Sequence, residues 1–295
     1  MPSLDALIAS DIEVAAVVTN PDRPAGRGME LRPSPVKQRA RAAGIAVLQP
    51  ARARADEFHE QLRTLAPDVC TVVAYGKILP ASLLAVPPHG FVNVHFSLLP
   101  EYRGAAPVQR AIMDGNEVSG VSIMVLTEGM DEGPLLATAT EVVRPSDTAG
   151  TLGERLAQVG APLLVETVTA FASGDLTPVP QQHERATYAP KITTEEARID
   201  WRDPAAVISN KVRGLNPVPG AWTTLRRKRV KILFARKVND GELGPGVIAE
   251  HEGALIAGTG QGAVEVTSLQ LQGKRAMSGA EAARGLRLAP GEGFE

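Results

Sequence analysis

The feature that most constrains the fold is an alternation of short apolar runs with helical patterns over the first 175 residues. Five runs of five to eight residues have the length and composition of buried strands, at residues 13–19, 45–49, 68–75, 90–96 and 120–127. Segments with helical spacing separate them, beginning near residues 35, 105 and 148. Parallel neighbours need a crossover, which is usually a helix, so the pattern predicts an α/β fold, a doubly wound parallel sheet with helices on both faces.

The last third of the chain has a different pattern. One helix is predicted over residues 203–215, and five short alternating segments follow it, punctuated by Gly and Pro. This pattern is typical of a small antiparallel barrel or sandwich, and an OB-like barrel is the expected form. Residues 183–202 are polar and strand-free. The sequence therefore predicts a first domain over residues 1–182, a linker over 183–202 and a second domain over 203–295.

Charge is divided unevenly between these parts. Residues 201–295 carry 14 Lys and Arg against 9 Asp and Glu, whereas the first 200 residues carry 17 against 24. A basic second module indicates an anionic partner. Its densest run, RRKRVKILFARK at residues 226–237, has seven basic residues and no acidic one. A solvated hairpin face and a nucleic-acid surface both fit this run.

Other counts limit the classes of protein. The one cysteine, Cys70, excludes an internal disulfide and lies in an apolar run typical of a buried thiol. No stretch is long and apolar enough to span a membrane, and the start lacks the basic and apolar regions of a secretory signal. His and Cys are too scattered to form a metal site. We expect a cytoplasmic, metal-free protein with no membrane association.

Two polar residues interrupt an apolar strand pattern at residues 90–96. Asn93 and His95 are two residues apart, so in a strand their side chains point to the same face. They end a predicted strand, and open α/β sheets bind ligands at the carboxyl ends of their strands. Asn can donate to a developing oxyanion, and His can donate or move a proton near pH 7. The pair favours acyl-transfer chemistry, although such pairs are more often satisfied buried residues.

An acidic residue follows the next predicted strand. Asp131 lies between Gly129 and Gly133, in a loop after the strand at residues 120–127. A carboxylate beside His95 would orient the imidazole ring and stabilise its charged form.

These residues stand within a longer recognisable pattern. The string NVHFSLLPEYRGAAP at residues 93–107, with the later Asp131, resembles the formyltransferases that use 10-formyltetrahydrofolate. The resemblance covers nearly the whole chain through PDRPAGRG (21–28), SPVK (34–37), VVAYGKILP (72–80), EEARIDW (195–201) and NPVPGAW (216–222). The RGAAP continuation and the PDRPAGRG loop favour the branch that formylates initiator methionyl-tRNA. Other branches act on glycinamide ribonucleotide or a sugar amine, or hydrolyse the folate.

The resemblance implies a Rossmann-like formyltransferase domain and a C-terminal domain that contacts tRNA. It implies transfer of the formyl group of 10-formyltetrahydrofolate, a co-substrate, to the α-amine of methionyl-tRNA for translation initiation. Asn93 and His95 would stabilise the oxyanion, and Asp131 would orient His95. The folate pocket would be lined by Ser97, Leu98, Leu99, Pro100, Tyr75 and Gly76.

Two basic regions would bind the tRNA. The loop from Asn20 to Pro33 is too long for a structureless connection in a compact domain, so a functional or a disordered loop is expected. It carries Arg23 and Arg27, and also Arg32, as cations for phosphates. The second region is the tip of the basic run, with Arg227, Lys228 and Arg229. We expect a monomer.

The start of the chain departs from the family pattern. Family members begin with a strand and a Gly-Thr-Pro-type turn before the helix that matches Pro2–Ser10, and this chain begins on that helix. The absent strand should be central, so neighbouring strands should have unpaired backbone groups. Two alternatives stay open: a related formyltransferase or hydrolase acting on small molecules, and, because of the missing strand, a non-catalytic folate- or RNA-binding protein.

Overall fold

The computed structural model describes residues 1–25, 30–238 and 243–295, which fold as two compact units. The first comprises Met1–Arg103, Gly120–Glu141 and Arg155–Tyr188, and the second comprises Gly104–Ser119, Val142–Glu154 and Ala189–Glu295. Since the units are interleaved along the chain, the domain boundaries drawn from the sequence at residues 182 and 202 stay a prediction.

The helices agree with the helical patterns in the sequence. Those predicted from residue 35 and over residues 105–114, 148–172 and 203–215 correspond to α2, α5, α6 and α7. The described helices are α1 (Pro2–Ala9), α2 (Pro35–Ala42), α3 (Asp56–Leu65), α4 (Ala81–Leu84), α5 (Pro107–Met113), α6 (Ala149–Ala172), α7 (Ala205–Gly214) and α8 (Gly279–Leu286).

The strands of the α/β part occupy the cores of the predicted apolar runs, and β2, β3 and β8 were not predicted. They are β1 (Ala16–Val18), β2 (Arg23–Ala25), β3 (Glu30–Arg32), β4 (Ala46–Leu48), β5 (Cys70–Val72), β6 (Phe91–His95), β7 (Val118–Val125) and β8 (Leu135–Val142).

Local chemistry explains where α2 begins. The hydroxyl of Ser34 accepts a hydrogen bond from the backbone N–H of Lys37, and Pro35 occupies the first turn. A Ser N-cap followed by Pro is a strong helix start, because it satisfies a free N–H and fixes φ near its helical value. The chain turns after the helix at Gly44, whose φ of +72° favours glycine.

The sheet of the first unit is mixed and lies in two pieces. Strands β1 and β4 form a parallel pair, and a four-stranded sheet has the order β5-β6-β7-β8. Strands β5 and β6 are parallel, but β6 and β7 are antiparallel, with Asn93 opposite Met124. The prediction of an all-parallel sheet is therefore wrong for β7, which forms a hairpin with β8 and needs no crossover helix. Within the described residues, β1 and β5 each pair with a single strand.

Helix α6 packs closely on the face of β6 and β7 opposite Asn93. A Cβ on Gly160 would lie 3.2 Å from methyl carbons of both Val94 and Val121. Glycine at this position therefore lets the helix backbone approach the sheet. This packing fixes the strand that carries Asn93 and His95.

The second unit contains the predicted antiparallel sheet. Its strand order is β11-β12-β13-β10-β9, with β14 paired to β13. The bounds are β9 (Ala221–Leu225), β10 (Lys228–Val238), β11 (Ile248–His251), β12 (Ala254–Gly258), β13 (Ala263–Leu271) and β14 (Ala276–Ser278). The alternating burial of β9 follows its alternating sequence. The GTGQG segment at residues 258–262 forms the β12–β13 turn, since Gly258 pairs with Ala263.

Aromatic packing and a hydrogen bond fix the end of the chain to this unit. Trp201 stacks on Phe294 with ring centroids 5.1 Å apart, and its indole N–H donates to Thr223 Oγ1 at 2.9 Å. The Thr223 hydroxyl in turn donates to the carbonyl of Glu295. No helix in the described ranges is long and apolar enough to cross a membrane.

Candidate active site

Strand β6 presents Asn93 and His95 on one face, as its spacing predicts. Val92 and Val94 are buried, with 0% and 6% of their surface exposed, and Val94 packs against α6 at Gly160. The Asn93 side chain is half-buried and forms no hydrogen bond with any residue that the structure describes. Its amide N–H groups can therefore donate to a ligand without breaking an existing bond.

The imidazole of His95 is held by contacts at both ring nitrogens. Nε2 lies 2.9 Å from the backbone carbonyl oxygen of Tyr102, which can only accept, so Nε2 carries a proton. Nδ1 faces Asp131, with 3.6 Å between Nδ1 and Oδ2. That separation is too long for a good hydrogen bond, so a third group that approaches beside the pair can contact both side chains.

Asp131 reaches His95 by a route that the sequence did not indicate. Because β7 is antiparallel to β6, the carboxyl end of β7 lies beside the start of β6, where the Leu126 N–H donates to Phe91 O. His95 is four residues farther along β6, about 13 Å at the rise of a strand. The loop after β7 therefore folds back along the sheet, and Asp131 adopts a left-handed φ of +50° in it.

The loop after His95 is fixed from β7. The hydroxyl of Ser122, which is fully buried, donates to Ser97 O at 2.8 Å and accepts from the Leu99 N–H at 3.0 Å. Ser97 itself donates to Glu101 O at 2.6 Å. Its hydroxyl thus shapes the loop. Of the loop residues predicted to line a folate pocket, Ser97 and Leu99 are buried, whereas Leu98 and Pro100 are half-buried.

Gly120 makes room for this loop. An added Cβ at Gly120 would lie 2.5 Å from Leu98 Cδ2 and 2.3 Å from the carbonyl oxygen of Ala139. Any larger residue would displace the loop or the neighbouring strand β8.

Tyr75 and Gly76, also predicted to line the pocket, follow β5. The Tyr75 Oη is buried and has no hydrogen-bond partner among the described residues, and burial raises the pKa of this phenol. An unpaired buried hydroxyl costs about 1–3 kcal/mol, so a ligand acceptor would recover that energy. Gly76 is exposed with a φ of +71°, and the Tyr75 carbonyl accepts from Asn20 Nδ2 at 3.2 Å.

The described ends of the loop at residues 20–33, which was expected to be functional or disordered, pair as a short hairpin. Strands β2 and β3 pair antiparallel, and Arg23 lies directly opposite Arg32. Opposed residues share a face, and like charges there repel, so this exposed pair favours an anionic ligand. Arg27, predicted to bind tRNA, lies outside the described residues.

An ion pair between buried Lys37 and partly exposed Asp22 anchors the first residues of this loop. The ammonium group of Lys37, which is 6% exposed, donates to Asp22 Oδ2 at 2.6 Å and to Gln49 Oε1 at 2.5 Å. The hydrogen bond from Lys37 is the main cause that lowers the pKa of Asp22. Gln49 also donates to Asp22 Oδ1. The network fixes the chain one residue before Arg23.

In the second unit the predicted basic residues lie on one hairpin. Arg226 and Arg227 form its two-residue turn, both with positive φ. Arg227, Lys228 and Arg229 are exposed, and the Arg226 guanidinium donates to both carboxylate oxygens of Glu292.

The sequence did not single out Trp222, which the structure places within this basic hairpin. The Arg229 guanidinium lies 3.9 Å from its ring centroid, and that of Arg198 lies 5.7 Å away. Stacking on an indole holds a guanidinium in place while its N–H edge stays available to phosphate oxygens. Trp222 could have been found from the register of the β9–β10 pair, which places Trp222 opposite Lys231 and Thr224 opposite Arg229.

Metal-ligating groups are not clustered in the part of the chain that the structure describes. No group of three or more His, Cys, Asp or Glu side chains in residues 1–25, 30–238 and 243–295 could hold a metal ion. The expectation that no metal takes part stays a prediction.

Two family models match the chain. Residues 2–168 match the model described as formyl transferase, and residues 191–287 match the model of the formyl transferase C-terminal domain. Among curated proteins, the chain is 53% identical over 294 residues to the methionyl-tRNA formyltransferase of Streptomyces griseus, covering 99% of this chain and 95% of that protein. It is 47% identical over 295 residues to that of Thermobifida fusca, covering 100% and 95%.

Solved structures share the fold at low sequence identity. The sugar 3N-formyl transferase WlaRD, solved in the presence of dTDP and 5-N-formyl-THF, matches with a TM-score of 0.66 and 17% identity, over 93% of this chain and 94% of that chain. HypX from Aquifex aeolicus, in complex with tetrahydrofolic acid, matches with a TM-score of 0.63 and 22% identity, over 81% and 42%.

Proposed function

The chain belongs to the formyl transferase family, and on that basis we propose that it transfers a formyl group from 10-formyltetrahydrofolate to the α-amine of initiator methionyl-tRNA. The product, N-formylmethionyl-tRNA, serves translation initiation. Identity of about half over nearly the whole length of proteins named methionyl-tRNA formyltransferase supports this substrate. The folate donor is supported by the folates in the structures of WlaRD and HypX.

The observation that carries the catalytic proposal is the geometry of Asn93, His95 and Asp131. In the reaction, the amine nitrogen forms a bond to the formyl carbon, and the carbonyl oxygen becomes an oxyanion. The bond from that carbon to N10 of the folate then breaks. Asn93 donates an N–H to the oxyanion, and His95 donates to it from Nδ1, the ring nitrogen that faces Asp131. One such donor is usually worth about 2.7–4 kcal/mol of the barrier.

Proton transfer is assigned to Asp131 and His95. The attacking amine must lose a proton, and the folate nitrogen must gain one when it leaves. Donation from Nδ1 as well as from Nε2 requires the doubly protonated ring, and the carboxylate of Asp131 at Nδ1 balances the charge of that form during the reaction. Asp131 accepts the amine proton, directly or through water, and the same proton is then delivered to N10 of the folate as its bond to the formyl carbon breaks. Positioned acid–base groups contribute roughly 10²–10⁴ in rate.

The folate pocket is assigned to the loops after β5 and β6. Leu98 and Pro100 supply half-buried apolar surface, and Ser97 and Leu99 hold the loop in shape. The unpaired Tyr75 Oη offers a hydrogen bond to a polar group of the folate. No step of this mechanism calls for a metal ion.

Exposed cations in both units are assigned to the tRNA. In the first unit these are Arg23 and its opposed neighbour Arg32, together with Arg27 of the same loop. In the second unit they are Arg227, Lys228 and Arg229, the last stacked on Trp222. These contacts to phosphates should be salt-sensitive. We propose that the enzyme acts as a monomer in the cytoplasm, where charged initiator tRNA is used.

The alternatives are less well supported. A small-molecule formyltransferase or folate hydrolase would not require the Arg23–Arg32 hairpin or the basic turn at Arg227. A non-catalytic protein would not need a carboxylate facing His95. The near-full-length match to named methionyl-tRNA enzymes favours the catalytic proposal over both.

The test is formylation of methionyl-initiator tRNA by the wild-type chain and by Asp131→Asn. The substitution keeps the shape of the side chain and removes its charge, so kcat should fall at least ~10²-fold with folate binding retained. The matched control is Glu128→Gln, an exposed carboxylate in the same loop, which should keep wild-type kcat. Near-normal turnover by Asp131→Asn would remove the assigned role.

A further inference from the structure

A buried arginine and a buried glutamine connect the two loops of the candidate active site. Arg103 is 2% exposed and Gln181 is 5% exposed, although both side chains are strongly polar. Burying a guanidinium is unfavourable unless its N–H groups are hydrogen-bonded. Arg103 meets this need by donating from Nε and Nη2 to Gln181 Oε1, at 3.1 Å and 2.7 Å.

The other end of the Gln181 amide holds the Asp131 loop. Nε2 donates to the backbone carbonyl of Asp131 at 2.9 Å and to that of Gly133 at 2.7 Å. Asp131 has a φ of +50°, a left-handed conformation that is uncommon for residues other than glycine, although aspartate tolerates it better than most. Both N–H groups of Gln181 are thus used to fix the backbone on either side of Glu132.

The same stretch of chain also holds the backbone that orients His95. We name residues 179–188 the return segment. Within it, Thr187 accepts from the N–H of Tyr102 through Oγ1 at 2.8 Å and from the N–H of Arg103 through its carbonyl at 2.9 Å. The Tyr102 carbonyl is the acceptor for His95 Nε2. The return segment therefore contacts the supports of both His95 and Asp131.

We propose that Arg103 and Gln181 are positioning residues that set the distance between His95 and Asp131 through the return segment. This inference rests on the proposed roles of those two side chains. The guanidinium polarises the Gln181 amide and strengthens its donation to the two carbonyls. A loop shift of about 1 Å is enough to cost on the order of 10²-fold in rate, so the connection acts on kcat.

Gln181→Glu tests the connection while keeping Arg103 paired. A carboxylate still accepts from the guanidinium but cannot donate to the carbonyls of Asp131 and Gly133, which its oxygens repel. We expect kcat to fall roughly 10–100-fold, with KM for both substrates within about twofold. The control is Gln182→Glu, the same change at the exposed neighbouring position, and it should retain wild-type kcat.

A double-mutant cycle separates positioning from a general structural effect. If Gln181 acts through Asp131, adding Gln181→Glu to Asp131→Asn should reduce kcat by less than about twofold further. The inference would be overturned if the loss of kcat in the double variant equalled the product of the losses in the two single variants. It would also be overturned by wild-type kcat in Gln181→Glu. A normal kcat in Asp131→Asn alone would instead refute the proposed function at this residue, so the two failures are distinguishable.

A second variant covers the case in which Gln181→Glu does not fold. The double substitution Arg103→Met with Gln181→Met removes the buried charge together with its acceptor, a replacement that folded proteins often tolerate. It should give the same 10–100-fold loss in kcat with KM within about twofold. Unchanged kcat in this folded variant would contradict the inference.

Discussion

Ser122 offers the sharpest test of how the candidate folate loop is held. Its buried hydroxyl forms two hydrogen bonds, to Ser97 O and from the Leu99 N–H. Ser122→Ala leaves a buried carbonyl and a buried N–H unpaired, each costing about 1–3 kcal/mol. Since removing one oxygen disturbs packing little, the two unpaired groups dominate, and we expect the free energy of unfolding to fall by about 2–6 kcal/mol.

Urea unfolding of the variant measures this loss, and Ser119→Ala provides the matched control. Ser119 is buried on the same strand, and its hydroxyl bonds to no residue within the described ranges, so its removal should cost under about 1 kcal/mol. The freed loop should also raise KM for 10-formyltetrahydrofolate more than it lowers kcat. Equal destabilisation by the two substitutions would refute the reasoning from the hydrogen bonds.

Three further outcomes follow from contacts elsewhere in the chain. In α6, Gly153→Ala should raise the free energy of unfolding by about 0.5–1 kcal/mol, because its Cβ meets nothing within 4 Å. Gly160→Ala should give no such gain, because its Cβ would crowd the sheet. Equal gains for the two variants in urea unfolding would contradict this packing. The hydrogen bond from Arg226 lowers the pKa of Glu292 from 4.5 to about 2, so its stabilisation is complete above pH 4.5 and lost as the pH falls toward 2. The melting temperatures of wild type and Glu292→Gln should therefore converge between pH 4.5 and pH 2.5, and a constant difference would count against the pair. Arg229→Ala should raise KM for methionyl-tRNA. A plot of log KM against log salt concentration should also become less steep by about 0.9, the change expected for one lost phosphate contact, and an unchanged slope would exclude that contact.

The sequence predicted those features that depend on local periodicity. Strand β9 occupies one of the predicted alternating segments, because buried and half-buried residues alternate along it and glycine precedes it. The shared face of Asn93 and His95 follows from the same two-residue period. Long helices such as α6 were equally accessible, since their apolar positions recur at helical spacing.

Features set by distant partners were not predictable from local pattern. The antiparallel direction of β7 depends on pairing with β6, and an apolar run of eight residues fits either direction equally well. Arg103 resembles any solvated arginine in the sequence, because its acceptor on Gln181 lies 78 residues away. Trp222 was assigned no role for the same reason, since the guanidinium stacked on it comes from the next strand.

The most direct test of the central claim is a single-turnover reaction of this chain with 10-formyltetrahydrofolate labelled in its formyl carbon and with methionyl-initiator tRNA. If the chain is a methionyl-tRNA formyltransferase, the label appears on the α-amino group of the esterified methionine, with tetrahydrofolate released in equal amount. Label found as free formate, or on a small amine such as glycinamide ribonucleotide in preference to the tRNA, would contradict that claim.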